Sequence, residues 1–406
     1  METRIIDLGT LENGTVSFGI GISNNGNVVV GRSTTNGAIG TRAFRWQNGS
    51  MIKLTGLDAN AVSAASGVNI DGTIIAGGTV VSGVYRAWRF ANNAYTSIGN
   101  LGHATSYSFA YDMSMDGTVI TGESRRADGI YRAFRWDTTN GITDLGTLGG
   151  GYTSSIGLGI SPSGTYIVGY AYGGGQSQKA FVWTSSGGMV GLNYPSPAGL
   201  FARAYAVSSN GIIVGISAFS NVEVGTAFAY QNGTYTNLGR IPGYSFSLAT
   251  DISLDGSVIV GYSYNTSVAN NALAPITAVS AFRYANGVMT NIGDLGTYTT
   301  PAEVLAGYST GRDGGIDDPT LNSFAYTVSG DGDSLAGTSE VRMPNSSIEQ
   351  HAFLYKLIRI QQKPYYDDNQ KYVAQAKDNQ TKFSDASSYT QFLKARASGN
   401  MYRYQG

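Results

Sequence analysis

Short apolar runs separated by turn residues fill most of the chain, and they return in one order seven times. The first copy reads SFGIGIS, NNGN, VVVGRS, RAFRWQNG and MIKLTGL. Its first run alternates Phe18, Ile20 and Ile22 with small residues, a period of two that predicts a strand and excludes a helix face. An Asn-Gly or Asp-Gly type signal follows, as at Asp71-Gly72, Asp116-Gly117 and Asp255-Gly256, so each copy is predicted to turn tightly at the same place. The second run (VVVG, TIIAG, TVITG, YIVG, IIVG, VIVG, SLAG) is continuously apolar, as expected of a strand covered on both faces. It closes on Gly31, Gly77, Gly122, Gly169, Gly215, Gly261 and Gly337, where a bend or a close backbone approach leaves no room for a side chain.

The third run carries an alanine in every copy, at Ala43, Ala87, Ala133, Ala180, Ala227, Ala281 and Ala352. An aromatic follows it directly and a second one comes two residues later, so both flanks of this strand have neighbours to meet. The fourth run, as in RIIDLGTL and GITDLGTL, has the least apolar surface.

Four short strands in a unit of roughly 45 residues predict a β-propeller blade. The chain opens on a fourth strand, Arg4 to Leu11, and its last copy stops after a third strand at Tyr355. Seven complete blades therefore require the N-terminal strand to finish the last one, which also hides the edges that an open array exposes. The small residues Ser17, Gly19, Gly21 and Ser23 suit the crowded innermost strand beside the central channel, and the fourth strand is expected outermost. The fold class expected is all-β, a seven-bladed propeller over 1–361, with a partly helical tail over 362–406.

The unit "G..A..IS.DG.VVVG.S....RAFRW.NG.M..LG.L" resembles the bacterial HAF repeat, whose His-Ala-Phe triplet stands literally at His351, Ala352 and Phe353. The resemblance covers nearly all of residues 4 to 361. It implies a repeat met in extracellular or surface proteins of unassigned activity, and it brings no catalytic motif.

Composition narrows the function. Charged residues are 13% of the chain, about half the usual fraction of roughly 25%. With 56 glycines and 27 tyrosines, this is the make-up of a sheet-rich shell with polar uncharged loops. The absence of cysteine excludes disulfides and thiolate chemistry. A net charge of −1 argues against a general nucleic-acid binder. The N-terminus METRIIDLGT has no basic head followed by an apolar core, and no apolar run is long enough to span a bilayer. The reading is of a mature form, or of a protein that reaches a virion or surface by assembly, with no membrane insertion.

Charge is uneven. From Lys356 onward nine Lys/Arg face four Asp, a net of +5, which leaves −6 on the preceding residues. The tail is rich in Gln, Lys, Ala and Asp, and predicts short helices over 369–383 and 387–397. It either lies back on an acidic propeller or anchors the protein to a partner through Tyr365, Tyr366, Phe392, Lys394 and Arg396. SSYTQFLKARASGNMYRY loosely resembles C-terminal segments of large-virus proteins.

No local motif supports catalysis or a cofactor. There are two histidines, His103 and His351; the position of His351 holds Arg, Lys, Thr or Ser in other copies, which reads as a polar residue on a repeat face. No metal spacing, nucleophile elbow or phosphate loop occurs. The Asp-Gly turns faintly resemble the Asp-box of sialidases but alternate with Asn and Ser, which is turn chemistry. The stretch GRDGGIDD offers Asp313, Asp317 and Asp318 to a calcium ion, without EF-hand spacing; the alternative is a solvated acidic loop.

The alanine spacings of 44, 46, 47, 47, 54 and 71 put the extra material in the last two blades, at 264–279, 297–321 and 340–350. Insertions in an array map to loops on a defined face. The expectation is a non-enzymatic structural or interaction propeller in a virion or surface assembly, with the tail as anchor and the blade loops as contact face. The alternative is a glycan-binding propeller, which requires aromatics repeating at one blade position, with Tyr85, Tyr131 and Tyr152 as candidates. A hydrolase or lyase in the channel comes third, and would require two acidic side chains facing each other there.

Overall fold

A computed structural model describes residues 2–36, 40–56, 58, 60–102, 106–193, 201–218, 225–267, 276–295, 321–343, 345–358, 365–366 and 372–373. Strand β1 is Glu2–Gly9. Blade one is β2 Ser17–Ile22, β3 Val28–Ser33, β4 Arg42–Gln47 and β5 Ser50–Lys53. Blade two is β6 Ser63–Val68, β7 Ile75–Val81, β8 Val84–Ala91 and β9 Ala94–Gly99. Blade three is β10 Ser108–Met113, β11 Val119–Arg125, β12 Tyr131–Asp137 and β13 Gly141–Asp144. Blade four is β14 Ser154–Ile160, β15 Ile167–Gly173, β16 Gln176–Thr184 and β17 Gly188–Gly191. Blade five is β18 Ala202–Val207, β19 Ile213–Ser217, β20 Thr226–Gln231 and β21 Thr234–Gly239. Blade six is β22 Phe246–Ile252, β23 Val258–Thr266, β24 Ile276–Ala285 and β25 Val288–Asn291. Blade seven is β26 Ser323–Val328, β27 Ser334–Arg342, β28 Ile348–Ile358 and, as its fourth strand, β1. The seven-bladed propeller closed by the N-terminal strand is thus observed, with β1 starting two residues earlier than the pattern predicts.

A second unit takes in residues 359–406, of which only β29 Tyr365–Tyr366 and β30 Tyr372–Val373 are described, paired antiparallel. A tail helix over 369–383 was expected from the polar pattern; Tyr372 and Val373 are strand instead, in keeping with the β preference of aromatic and β-branched residues. The remainder of that segment and 387–397 lie outside the described residues.

Inside each blade, all ladders are antiparallel and the inner strand carries one bulge at the same place. In blade three, Ala110 pairs with Gly122 and Asp112 with Thr121, which leaves Tyr111 unpaired between them. The bulge presses the inner-strand backbone onto the second strand. A Cβ on Gly122 would overlap the Phe109 carbonyl oxygen, and the same holds in every blade, from Gly31 against Phe18 to Gly337 against Phe324. This is the close approach that the seven sequence glycines anticipate.

Between blades lies the core, with an apolar cluster at every interface and a second one between blades five and six. Second-strand residues alternate between two of them: Val28 and Val30 join Ala65, Ile75 and Trp88 of blade two, while Val29 packs with Ala336 and Leu354 of blade seven. The repeating alanine faces the next blade and the aromatic after it faces the previous one, so Ala43 and Phe44 are both fully buried. In six of the seven blades a serine of the next inner strand accepts the alanine N–H. Ala43 donates to Ser63 (3.0 Å), Ala133 to Ser155 (3.0 Å), Ala281 to Ser323 (3.0 Å), and Ala352 to Ser17 across the closure (2.7 Å). Ser17 in turn donates to the Gly9 carbonyl of β1 at 2.6 Å, so one hydroxyl ties three strands of two blades.

The Asp-Gly turns are turn chemistry, as expected. Ser114 donates to Asp116 (2.6 Å) and accepts the Val119 N–H (3.0 Å), while Gly117 takes the left-handed conformation that the turn requires (φ 71°).

His351 keeps its place in the polar third-strand column, and the structure adds its partners. It is buried at the closure, with Nδ1 2.7 Å from Asp7 of β1 and Nε2 3.1 Å from Glu349. Burial alone would lower its pKa; the hydrogen bond and charge of Asp7, and then those of Glu349, hold it above the ordinary value. A histidine with a raised folded pKa stabilises fully below its unfolded value near 6.5 and loses that contribution as pH rises through the raised one. His351→Gln is therefore expected to cost about 3 kcal/mol near pH 6, where it removes the positive charge beside buried Asp7, and less at pH 9. Urea denaturation at the two pH values checks this; an equal loss at both would contradict it.

Candidate functional site

The seven inner strands enclose a channel cavity of about 170 Å³. Each blade's bulged residue lines it: Ile20, Ser66, Tyr111, Leu158, Tyr205, Thr250 and Tyr326. Bulges re-aim side chains, and here the device is applied seven times. The column holds tyrosine in blades three, five and seven. In blades two and six its hydroxyls bond to the next blade, Ser66 to the Ala110 carbonyl (2.6 Å) and Thr250 to the Ala325 carbonyl (2.9 Å).

The residue after the bulge is Gly21, Gly67, Gly159, Ala206 or Thr327 in five blades and an aspartate in two, Asp112 and Asp251. Asp112 accepts the Met113 N–H (2.8 Å) and, from the next blade, the Ile160 N–H (3.0 Å). Asp251 accepts the Ile252 N–H (2.8 Å) and, from blade seven, the Val328 N–H and Thr327 hydroxyl (both 2.9 Å). Withdrawal from water in the narrow channel raises both, Asp112 to about 7 and Asp251 to about 6, and the charge of Asp251 adds to the rise at Asp112.

Aromatic contacts, together termed the collar, cluster at the end where second strands give way to third strands and fourth strands to the next inner strand. Tyr107 meets Tyr85 and Tyr131 edge-on, with centroids 6.1 and 5.6 Å apart. Tyr107 and Tyr111 both donate to Glu123, at 3.1 and 2.8 Å. Burial raises the pKa of Glu123 more than these hydroxyls lower it. Two blades on, the Arg203 guanidinium lies over the Tyr170 ring (5.1 Å) and donates to Gln178 (2.6 Å). Tyr262 meets Phe324 edge-on at 5.0 Å, and Arg32 lies over Phe18 at 4.7 Å. The ends of β23 and β24, which flank one of the sequence insertions, belong to this same end.

Of the sequence candidates, Tyr85 and Tyr131 are brought into one run through Tyr107, while Tyr152 closes a turn onto the Gly149 carbonyl and is not part of it. Tyr365 and Tyr366 form the short strand β29. Phe392, Lys394, Arg396, His103 and Asp313, Asp317 and Asp318 lie outside the described residues. The sequence reading missed Asp112, Asp251, Glu123, Arg203 and the three channel tyrosines. Comparison of the seven inner runs column by column would have exposed the two aspartates, because they stand where other copies have small residues.

No family model matches the chain, and no curated protein sequence does. Among solved structures it is similar to an oligogalacturonate lyase from Vibrio parahaemolyticus, at 9% identity over 88% of this chain and 92% of that one, with a TM-score of 0.52. TolB from Acinetobacter baumannii is 11% identical over 82% of this chain and 80% of its own, with a TM-score of 0.42. The likeness to the lyase, at this identity, shows the fold alone and nothing about activity.

The two channel carboxylates make a prediction of their own. Acids whose folded pKa is raised favour the native state when protonated, so their contribution to stability falls as pH rises from about 4 to about 7. The Asp112→Asn/Asp251→Asn double variant should flatten this slope in urea titrations across that window. An unchanged slope would mean that the carboxylates are as well solvated folded as unfolded.

Proposed function

We propose that the chain is a non-enzymatic interaction propeller, a component of a virion or other surface assembly, which meets its partner at the collar end and is anchored by its basic tail. The observation that carries this is the collar itself: tyrosines of blades two and three in edge-on contact, and Tyr262 of blade six against Phe324 of blade seven, at the end where the sequence insertions leave and re-enter the blades. Sparse charge and the resemblance to HAF-type surface repeats support the same reading. In the tail, Tyr365, Tyr366, Phe392, Lys394 and Arg396 are the proposed contacts.

Two facing carboxylates are what a channel hydrolase or lyase would require, and Asp112 and Asp251 are present. Every oxygen of the pair accepts at least one N–H from the inner strands, so the carboxylates also act as staples between blades, which favours the interaction reading.

Glycan recognition is the second reading, favoured by the tyrosine run. Tyrosine offers an apolar ring with a polar tip, which suits the apolar face and hydroxyl rim of a sugar. A glycan array probed with the full chain is the test. The glycan reading predicts retention on a restricted set of glycans, weakened at least tenfold, about 1.4 kcal/mol, by Tyr131→Ala. Absence of retention, with tail-dependent co-sedimentation of the full chain with a surface fraction, would leave a protein partner and exclude the glycan. Failure of both would overturn the assembly reading.

A further inference from the structure

We propose that the channel cavity is a binding site for a small organic cation, an amine or quaternary ammonium group about the size of one ring. This goes beyond the partner contact assigned to the collar and does not depend on it.

Size is the first argument. An apolar protein cavity of roughly 150 Å³ holds one benzene ring, and the channel encloses about 170 Å³. Charge is the second. Of the side chains lining the cavity, Asp112 and Asp251 are the ones that ionise near neutrality, and no Lys, Arg or His among the described residues lines it. Both carboxylates are ionised above neutral pH, where two negative charges share the cavity with no Lys, Arg or His lining it; burial raises both pKa values. Backbone N–H groups occupy part of each carboxylate but leave acceptor capacity, since a carboxylate offers about four lone-pair sites. The third argument is the wall. Tyr111, Tyr205 and Tyr326 reach the same cavity from alternate blades, and tyrosine rings attract cations through their π-faces.

A hard metal ion fits less well. It asks for six or more oxygen ligands, and no group of three His, Cys, Asp or Glu able to hold a metal occurs among the described residues.

The charged groups nearest the pair lie at the collar end of the same blades: Glu123, bonded to Tyr111, Arg203, beside Tyr205, and Arg32, whose charge reaches Tyr326. Glu123 adds to the attraction for a cation, while Arg203 and Arg32 oppose entry from that end.

The test is calorimetric titration of the full chain with tetramethylammonium chloride and choline chloride, with 3,3-dimethylbutanol as the neutral analogue of choline and sodium chloride as the ionic control. The expected result is saturable binding of the cations at pH 8.5, no binding of the neutral analogue, and at least tenfold weaker binding at pH 5, where both aspartates are protonated. Asp251→Asn and Tyr326→Leu should each weaken binding at pH 8.5. The second leaves the aspartate hydrogen bonds in place and serves if the first does not fold, as judged by circular dichroism. Absence of saturable binding at pH 8.5, equal binding of the neutral analogue, or wild-type affinity in a folded variant would each overturn the proposal.

Discussion

One contact shapes every blade: the bare α-carbon of the second-strand glycine against the carbonyl of the bulged inner strand. The same glycine meets the third-strand aromatic on its other side, as Gly122 does Phe134, so two strands and one ring close on a point with no space for a methyl group. The bulge follows from that crowding, and the direction of the residue it ejects follows from the bulge. Seven repetitions of this contact turn seven side chains into the channel and fix the cavity's lining.

What joins the blades is distinct from what forms them. Each interface has its own apolar cluster, built by an alanine that lets one blade approach and an aromatic that fills the space on its other side. Serines carry hydrogen bonds across the same interfaces and leave little buried backbone unsatisfied. Blade seven adds an ionic group of its own, Asp7–His351–Glu349, between the N-terminal strand β1 and β28. It lies where the chain's two ends meet, so the strand that finishes the ring is held by apolar packing, ladder hydrogen bonds and an ionic group together.

Most of the fold was legible in the sequence because it is written seven times. Gly31 and its equivalents, the Ala43-Phe44 pair and the Asn-Gly turns each recur, and recurrence separates a packing requirement from chance. The site was less legible for the opposite reason. Asp112, Asp251 and Arg203 break their columns and Glu123 stands in a variable one, and the repeat pattern gives no sign that strands distant in sequence bring the two aspartates to one channel. The partners of His351 were hidden because its column is polar in every copy; only the pairing of β1 with β28 reveals Asp7 beside it. The bulge was invisible, since Tyr111 and its equivalents read as ordinary positions in an alternating strand.

The glycine contact admits a test of sign. At an ordinary strand-interior glycine, alanine stabilises by roughly 0.5–1 kcal/mol through the unfolded chain and strand propensity. At Gly122 the added methyl would strike the Phe109 carbonyl, and the account predicts that Gly122→Ala lowers the unfolding free energy by about 1–3 kcal/mol in urea. A neutral or stabilising substitution would contradict the account, because the inner strand would then not be held by backbone contact and the channel lining would need another cause.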